Sequence, residues 1–210
     1  MRVESVTDFR SSGIGKKLPV IRAFIAIDLS PEIQKQLDEV LRNYRAQLPN
    51  IPIRWVSASN IHLTLKFLGD VSLSNLNLLT EMIQKEVSTH HEFDISVGGS
   101  GAFPNNRQPR VVWVGVEAPP ELNAVQSGIE TATARLGYSR EERAFSPHLT
   151  LGRVSRNANS QDVKAISKVL ESMRIGFLGA TCVEKVHLYR SDLQPTGAVY
   201  TQIFSSSLIK

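Results

Sequence analysis

The chain has 210 residues, 41% of them hydrophobic and 21% charged, a composition typical of a globular protein with a sizeable core. Its formal net charge of +4 is too small to indicate a nonspecific grip on long nucleic acid, and half of it comes from the first 20 residues. A single cysteine excludes an internal disulfide framework, and no apolar run is long enough for a transmembrane helix.

The first 20 residues are rich in Ser, Gly and charge and show no apolar period. We predict that residues 1–20 form a flexible extension ahead of one domain at 21–210. The extension lacks the apolar segment of a secretory signal. Cys182 is predicted to pack within a strand, and the use of only one cysteine favours a reducing, cytoplasmic setting.

The first half of the domain predicts strand, helix, strand, helix, strand. Residues 21–29 are rich in Ile, Phe and Ala and indicate a strand. Ser30 and Pro31 then supply an N-cap and a proline at the first helical position. A strand at about 62–68 follows, then a helix over the apolar period that ends at Val87, and an alternating strand at 93–97.

The second half repeats this order. It predicts a strand at 111–116, a helix opened by two consecutive prolines, a strand at 148–154, a helix capped by Ser160 and a strand at 183–189. The repetition predicts an α+β protein of two lobes, each with a sheet whose outer face is covered by helices. The inner faces would enclose a central cleft, which is a favoured place for a ligand site.

The tetrapeptide His-Leu-Thr-Leu occurs once in each half, beginning at His62 and at His148. Residues i and i+2 of a strand point to the same face, so His62 pairs with Thr64 and His148 with Thr150. An imidazole exchanges protons near neutral pH, and a threonine hydroxyl can donate to a phosphate oxygen. Two such strands facing one cleft predict acid–base chemistry on a phosphate ester.

Metal binding is the alternative use of two histidines. A closed zinc site needs about four ligands, commonly with Cys or clustered carboxylates, and neither motif contains an acidic residue. We therefore favour acid–base catalysis and expect neither a metal nor another cofactor.

Two cationic residues near the motifs are weaker candidates. By alternation Lys66 shares the face of His62, where it would raise the local positive potential unless it is simply solvated at the strand end. Alternation puts Arg153 on the face opposite His148, and only a bend or bulge at Gly152 would turn it into the cleft.

The other conspicuous side chains have less specific expectations. Phe145 could stack on a base, although core packing is the better interpretation. Structural roles are expected for Trp55 and Trp113, and surface or structural roles for His90, His91 and His187.

These motifs resemble those of the two-histidine (2H) phosphoesterases. More closely, the chain is similar to the bacterial and archaeal RNA 2′,3′-cyclic phosphodiesterases, also called LigT-like 2′-5′ RNA ligases. The resemblance runs from residue 21 to 210 through the segments RAFIAID (22–28), IRWV (53–56), NIHLTLKFLG (60–69), GAFP (101–104), PRVVWVG (109–115), FSPHLTLGR (145–153) and VHLYRS (186–191).

The resemblance implies a bilobal α+β fold with pseudo-twofold symmetry. It implies hydrolysis of 2′,3′-cyclic phosphate ends of RNA, tRNA fragments among them, to 2′-phosphates. Some members join RNA ends through a 2′-5′ linkage without ATP. By the resemblance His62 is the proton donor, His148 the proton acceptor, Thr64 and Thr150 hold the phosphate, and Arg153 is a further phosphate ligand. The expected protein is a monomer with no membrane partner.

Two other functions remain open from the residues alone. One is a nonenzymatic nucleotide-binding or RNA-binding module that keeps the fold, although all four motif side chains are present. The other is a cyclic phosphodiesterase acting on ADP-ribose 1″,2″-cyclic phosphate or a cyclic dinucleotide. The motif side chains are suited to contact the phosphate, and they give no information about which base the substrate carries.

Overall fold

The computed structural model describes residues 19–195 and 197–210 and contains two antiparallel sheets and four α-helices in that part of the chain. The helices are α1 (Pro31–Gln47), α2 (Leu76–Val87), α3 (Pro120–Arg135) and α4 (Ser160–Ser172). The strands are β1 (Val20–Ile27), β2 (Ile53–Trp55), β3 (Leu63–Ser72), β4 (Phe93–Phe103), β5 (Val111–Glu117), β6 (His148–Val154), β7 (Phe177–Val183), β8 (Lys185–Gln194) and β9 (Gly197–Ser207).

The helix starts follow from local sequence. The Ser30 hydroxyl accepts a hydrogen bond from the backbone N–H of Ile33, which confirms the predicted cap of α1. The cap of α4 is Asn159, one residue before the predicted Ser160. The Asn159 side chain accepts from the backbone of Asp162, and the Asp162 carboxylate accepts from the Asn159 N–H. This reciprocal capping box outweighs a serine cap, since it satisfies two free N–H groups.

Several strand predictions are correct in position but wrong in extent. The strand expected at 183–189 is two strands, because β7 ends at Val183 and β8 begins at Lys185 in the other sheet. The strand expected at 93–97 continues to Phe103. The short β2 and the long β9 were not predicted, and β9 consists largely of exposed or half-buried residues that give no clear apolar alternation.

Each sheet carries one of the two motifs. The first sheet has the strand order β3-β1-β8-β9, and the second has the order β2-β6-β5-β4-β7. The first motif thus lies at the edge strand β3 of the first sheet, and the second motif lies on β6 of the second sheet. The bilobal α+β architecture predicted from the repeat is confirmed.

The two lobes do not coincide with the two halves of the sequence. The last strand of the first half, β4, pairs with β5 and β7 in the second sheet. In the opposite direction, β8 from the second half pairs with β1 in the first sheet. Two of the helices are exchanged in the same way, since α1 packs near β7 and α3 packs near β3, whereas α2 packs near β9 of the first sheet and α4 near β4 of the second. Buried side chains from both lobes form one continuous hydrophobic cluster.

The predicted extension at 1–20 lies outside the described residues except for Pro19 and Val20, and Val20 already pairs with Ser72 at the start of β1. Cys182 lies in β7 as predicted, but its side chain is exposed and does not pack in the core. None of the described helices is long and apolar enough to cross a membrane.

Candidate active site

The strands that carry the two motifs are neighbours across the junction of the sheets. Cα atoms of β3 and β6 approach within 8 Å of each other. The segment before the first motif is also tied to the second, because the Val56 N–H donates to the Leu151 carbonyl at 2.8 Å. Beyond it, the Asn60 side chain donates to the backbone of Ala198 in β9. His62 follows this anchored turn directly, at the entrance to β3.

A bulge in β3 determines which side chains share the face of Thr64. In the pairing with β1, Thr64 lies opposite Ala26, but Lys66 lies opposite the buried Ile25, so Leu65 is an extra residue. Directly opposed residues point to the same side of a sheet, and Ala26 and Ile25 point to opposite sides. The prediction that Lys66 shares the face of the motif is therefore wrong.

Lys66 is buried on the other side of the first sheet, where it is only 5% exposed. Its ammonium group donates to the Glu130 carboxylate of α3 at 2.6 Å and to the carbonyl of Ser139. The same carboxylate accepts the N–H of Glu141 at 2.9 Å. This network holds the loop between α3 and β6, which leads to the second motif, against β3.

A second bulge brings Arg153 to the face of the second motif. In the pairing of β6 with β5, Thr150 lies opposite Trp113 and Arg153 lies opposite Val111, with Leu151 as the extra residue. Trp113 and Val111 are two apart and share a face, so Thr150 and Arg153 also share one. From the sequence, only a bend or bulge at Gly152 would turn Arg153 toward the motif face, and such a bulge is present one residue before Gly152.

Gly152 allows this strand to pack closely on the other side of the second sheet. A Cβ atom there would lie 2.7 Å from the indole of Trp55 and 2.8 Å from the side chain of Ile53. The indole in turn lies 6.0 Å, between ring centroids, from the buried ring of Tyr44. Trp55 thus has the structural role predicted for it.

The imidazole of His62 is enclosed by aromatic rings. It stacks on Phe24 at a centroid distance of 4.6 Å, and the ring of Tyr200 contacts it edge-on at 5.2 Å. Tyr189 lies nearly parallel to it at 5.9 Å. Burial among these rings lowers the pKa of His62 to about 4, against the opposing effects of the Asp28 carboxylate and the Asn60 carbonyl.

Asp28, which the sequence did not single out, organises the groups behind His62. The Tyr189 hydroxyl donates to both carboxylate oxygens of Asp28, at 2.7 and 2.8 Å. His187 Nε2 lies 3.6 Å from the same carboxylate, and its burial lowers its pKa. The pairing of β1 with β8 places Tyr189 opposite Phe24 and His187 opposite Ala26. The i, i+2 spacing of His187 and Tyr189 was the available signal.

A small pocket of about 100 Å³ opens beside His62. The residues that line it include Asp28, Gln34, Ser59 and Asn60, all of which have polar side chains. This pocket offers hydrogen-bonding groups directly next to the imidazole.

His148 has a fixed orientation at the start of β6. Its Nδ1 lies 2.7 Å from the carbonyl oxygen of Ser146, which can only accept, so Nδ1 carries the proton and Nε2 is left free. The ring of Phe103 contacts it edge-on at 4.8 Å. Burial lowers the pKa of His148, the Ser146 carbonyl opposes this, and the positive charge of Arg153 lowers the pKa further.

The remaining candidates lie in varied surroundings. Phe145 and Trp113 are partly buried, and Trp113 lies opposite Thr150, on the face of the second motif, with its ring against Gly101. His90 pairs with Glu86 one helical turn before it, and His91 is exposed. Within residues 19–195 and 197–210, no group of three or more His, Cys, Asp or Glu side chains is placed to hold a metal ion.

Comparison with protein families identifies the class to which this fold and paired motif belong. The model of the LigT like phosphoesterases matches the chain twice in succession, over residues 27–113 and 114–200, and each match contains one His-Leu-Thr-Leu motif. The chain therefore belongs to the LigT-like phosphoesterase family. This confirms the resemblance found in the sequence and the internal repeat.

Individual relatives agree with this assignment. The chain is 33% identical over 186 residues to the RNA 2′,3′-cyclic phosphodiesterase of Methanothermobacter thermautotrophicus, covering 87% of this chain and 96% of the relative. It is 32% identical over 184 residues to the protein of the same name from Thermotoga maritima, covering 88% and 94%. The crystal structure of E. coli LigT complexed with 3′-AMP matches with a TM-score of 0.71 and 28% identity, covering 91% and 100%.

Proposed function

We propose that this protein is an RNA 2′,3′-cyclic phosphodiesterase that uses His62 and His148 as an acid–base pair. The observation that carries the proposal is that the two motif strands, β3 and β6, are neighbours across the junction of the sheets and that groups of opposite charge lie beside the two imidazoles. The carboxylate of Asp28 favours a protonated His62, whereas the guanidinium of Arg153 disfavours a protonated His148. A proton donor and a proton acceptor need this difference.

In the proposed hydrolysis, water displaces the ribose 3′ oxygen from phosphorus in one step. Nε2 of neutral His148 removes a proton from water as the water oxygen bonds to phosphorus. The bond from phosphorus to the ribose 3′ oxygen breaks, and His62 gives its proton to that oxygen. The product is a 2′-phosphate with a free 3′ hydroxyl. Thr64, Thr150 and Arg153 donate to the phosphoryl oxygens, which carry the negative charge of the transition state.

Because the pKa of His62 is low, this imidazole can act as a proton donor only if the bound substrate raises its pKa. At about 4 it leaves the imidazole neutral in the free protein near pH 7. A bound phosphate places a negative charge beside the ring and favours the imidazolium form. We infer that substrate binding is accompanied by proton uptake at His62.

The remaining parts of the proposal concern the substrate and the assembly. The names of the relatives and the 3′-AMP bound to E. coli LigT support an RNA end, with tRNA fragments as one source. A 5′ hydroxyl of a second RNA could replace water and give a 2′-5′ linkage without ATP. We further propose that 21–210 is a single bilobal domain working as a cytoplasmic monomer, because one chain contributes the complete set of site residues.

The test is incubation with a short RNA that ends in a 2′,3′-cyclic phosphate, followed by separation of the 2′- and 3′-phosphate isomers. The proposal expects the 2′-phosphate alone. ADP-ribose 1″,2″-cyclic phosphate and a cyclic dinucleotide are assayed in parallel. Faster turnover of either compound would reassign the substrate, and binding of RNA without turnover of any compound would indicate a binding module.

A further inference from the structure

Two arginines face each other at the edge of the second sheet. Arg54 in β2 lies directly opposite Arg153 in β6, and both side chains are exposed. Opposed residues share a face, so Arg54 lies on the same side of the sheet as Arg153 and Thr150. Within the described part of the chain, neither guanidinium forms an ion pair or a side-chain hydrogen bond.

Like charges directly opposite each other across two strands destabilise a sheet. Three other basic side chains in the described residues have acidic partners: Arg42 with Asp38 at 2.8 Å, Lys66 with Glu130 at 2.6 Å and Arg190 with Asp192 at 2.8 Å. The Arg54–Arg153 pair lacks such compensation, and phosphate groups bound to the two guanidinium groups would supply it. Guanidinium forks match phosphate oxygens in geometry as well as charge.

The two arginines stand at different distances from the reacting centre. Arg153 is close enough to His148 to lower its pKa, and it lies on the same strand as Thr150. Arg54 lies one strand further out on the edge strand β2, and adjacent strands are separated by about 4.8 Å. An anion held by Arg54 is therefore displaced from the phosphate that reacts between the histidines.

The negative charge on the His62 side of the site also favours a path of the polynucleotide toward Arg54. The His62 side of the site holds the carboxylate of Asp28, which repels a second phosphate. A polynucleotide that places its terminal cyclic phosphate between the histidines is thus drawn along the second sheet toward Arg54.

We propose that Arg54 binds the phosphodiester next to the terminal cyclic phosphate and makes the enzyme prefer polynucleotide ends to mononucleotides. This inference rests on the function proposed above. It assigns Arg54 a role in substrate selection and leaves proton transfer to the histidines.

The experiment compares two substrates in the wild-type protein and in Arg54→Gln. One substrate is a mononucleoside 2′,3′-cyclic phosphate, and the other is a trinucleotide with the same terminal nucleoside. We expect Arg54→Gln to lower the ratio of kcat/KM for the trinucleotide to that for the mononucleotide by about tenfold, the size of one hydrogen-bonded phosphate contact. Arg42→Gln, on the exposed surface of α1, is the matched control and should leave the ratio unchanged.

A third substrate tests the contact itself. A trinucleotide with a neutral methylphosphonate in place of the last internal phosphodiester should be turned over by the wild type at the rate at which Arg54→Gln turns over the native trinucleotide. Arg54→Gln should show no further loss with this substrate. The slope of log kcat/KM against log salt should also become shallower by about 0.7 in the variant.

Failure of the Arg54 assignment can be distinguished from failure of the proposed function. Equal losses on the mononucleotide and the trinucleotide would place Arg54 on the reacting phosphate and overturn the assignment. An unchanged ratio in Arg54→Gln would also overturn it while leaving the proposed function intact. Wild-type protein that hydrolyses neither substrate would refute the function itself. A melting temperature equal to or above the wild type is expected for Arg54→Gln, because the substitution relieves like-charge repulsion.

Discussion

The imidazole of His62 stacks on the ring of Phe24, with centroids 4.6 Å apart and planes inclined by 18°. Phe24 is itself almost fully buried, so the contact removes one face of the imidazole from water. A protonated imidazole loses more hydration in such a place than a neutral one. The stack therefore explains both the fixed position of His62 and the lowered pKa of its imidazole in the free protein.

The pKa of His62 should be about 4 in the free protein and should rise when a nucleoside 2′-phosphate binds. NMR titration of the imidazole C–H signals measures both values. The unfolded chain takes up this proton near pH 6.5. The stability contributed by neutral His62 is thus complete above pH 6.5 and is lost as the pH falls through about 4.

Denaturation measured in His62→Gln provides the control for that stability effect. The variant should lose less unfolding free energy than the wild type between pH 6.5 and 4, because the group that gains protons on unfolding is absent. Parallel curves for the two proteins would contradict the lowered pKa.

Replacement of either histidine should nearly abolish hydrolysis. His62→Ala and His148→Ala each remove one partner of the proton transfers, and each should lower kcat by about 10²–10⁴-fold. The double variant should be little worse than either single variant, since the two groups act as a unit. Circular dichroism checks the fold, and near-normal turnover in either single variant would refute the two-histidine mechanism.

Removal of the threonine hydroxyls should weaken phosphate contact while leaving the proton transfers intact. Thr64→Val and Thr150→Val keep a branched shape suited to a strand and should each cost about 1.5–3 kcal/mol of transition-state stabilisation. The shape of the pH–rate profile should not change. Lower thermal stability with unchanged kcat/KM would instead indicate that the hydroxyls are structural.

Asp28→Asn should impair His62 as a proton donor. The amide oxygen can still accept from the Tyr189 hydroxyl, so the change removes charge and keeps a hydrogen bond. Without the carboxylate the pKa of His62 falls, and the basic limb of the pH profile of kcat moves to lower pH. Tyr189→Phe, which keeps the charge, should move that limb less. Equal shifts in the two variants would show that Asp28 acts through packing.

Activity should be undiminished in excess EDTA. The proposed chemistry uses imidazoles, hydroxyls and a guanidinium and requires no cation. Turnover of the cyclic phosphate RNA before and after chelation measures the effect. Loss of turnover that a divalent ion restores would place the reaction in the metal-assisted class.

The sequence by itself was sufficient for the repeat, the paired motifs, the elements near each motif and the family, because these depend on local periodicity and short-range spacing. Ser30 capped its helix as expected, and the resemblance held over both halves. The cap of α4 was displaced by one residue because the side chains of Asn159 and Asp162 satisfy each other's backbone groups.

Tertiary structure decided everything that depended on which strands pair and in what register. The exchange of β4 and β8 between lobes is set by long-range pairing and leaves no periodic signal. One bulge turned Lys66 away from the motif face into an ion pair with Glu130, and another turned Arg153 toward that face. A single extra residue reverses the side of every residue after it, so strand alternation cannot assign a face without the register.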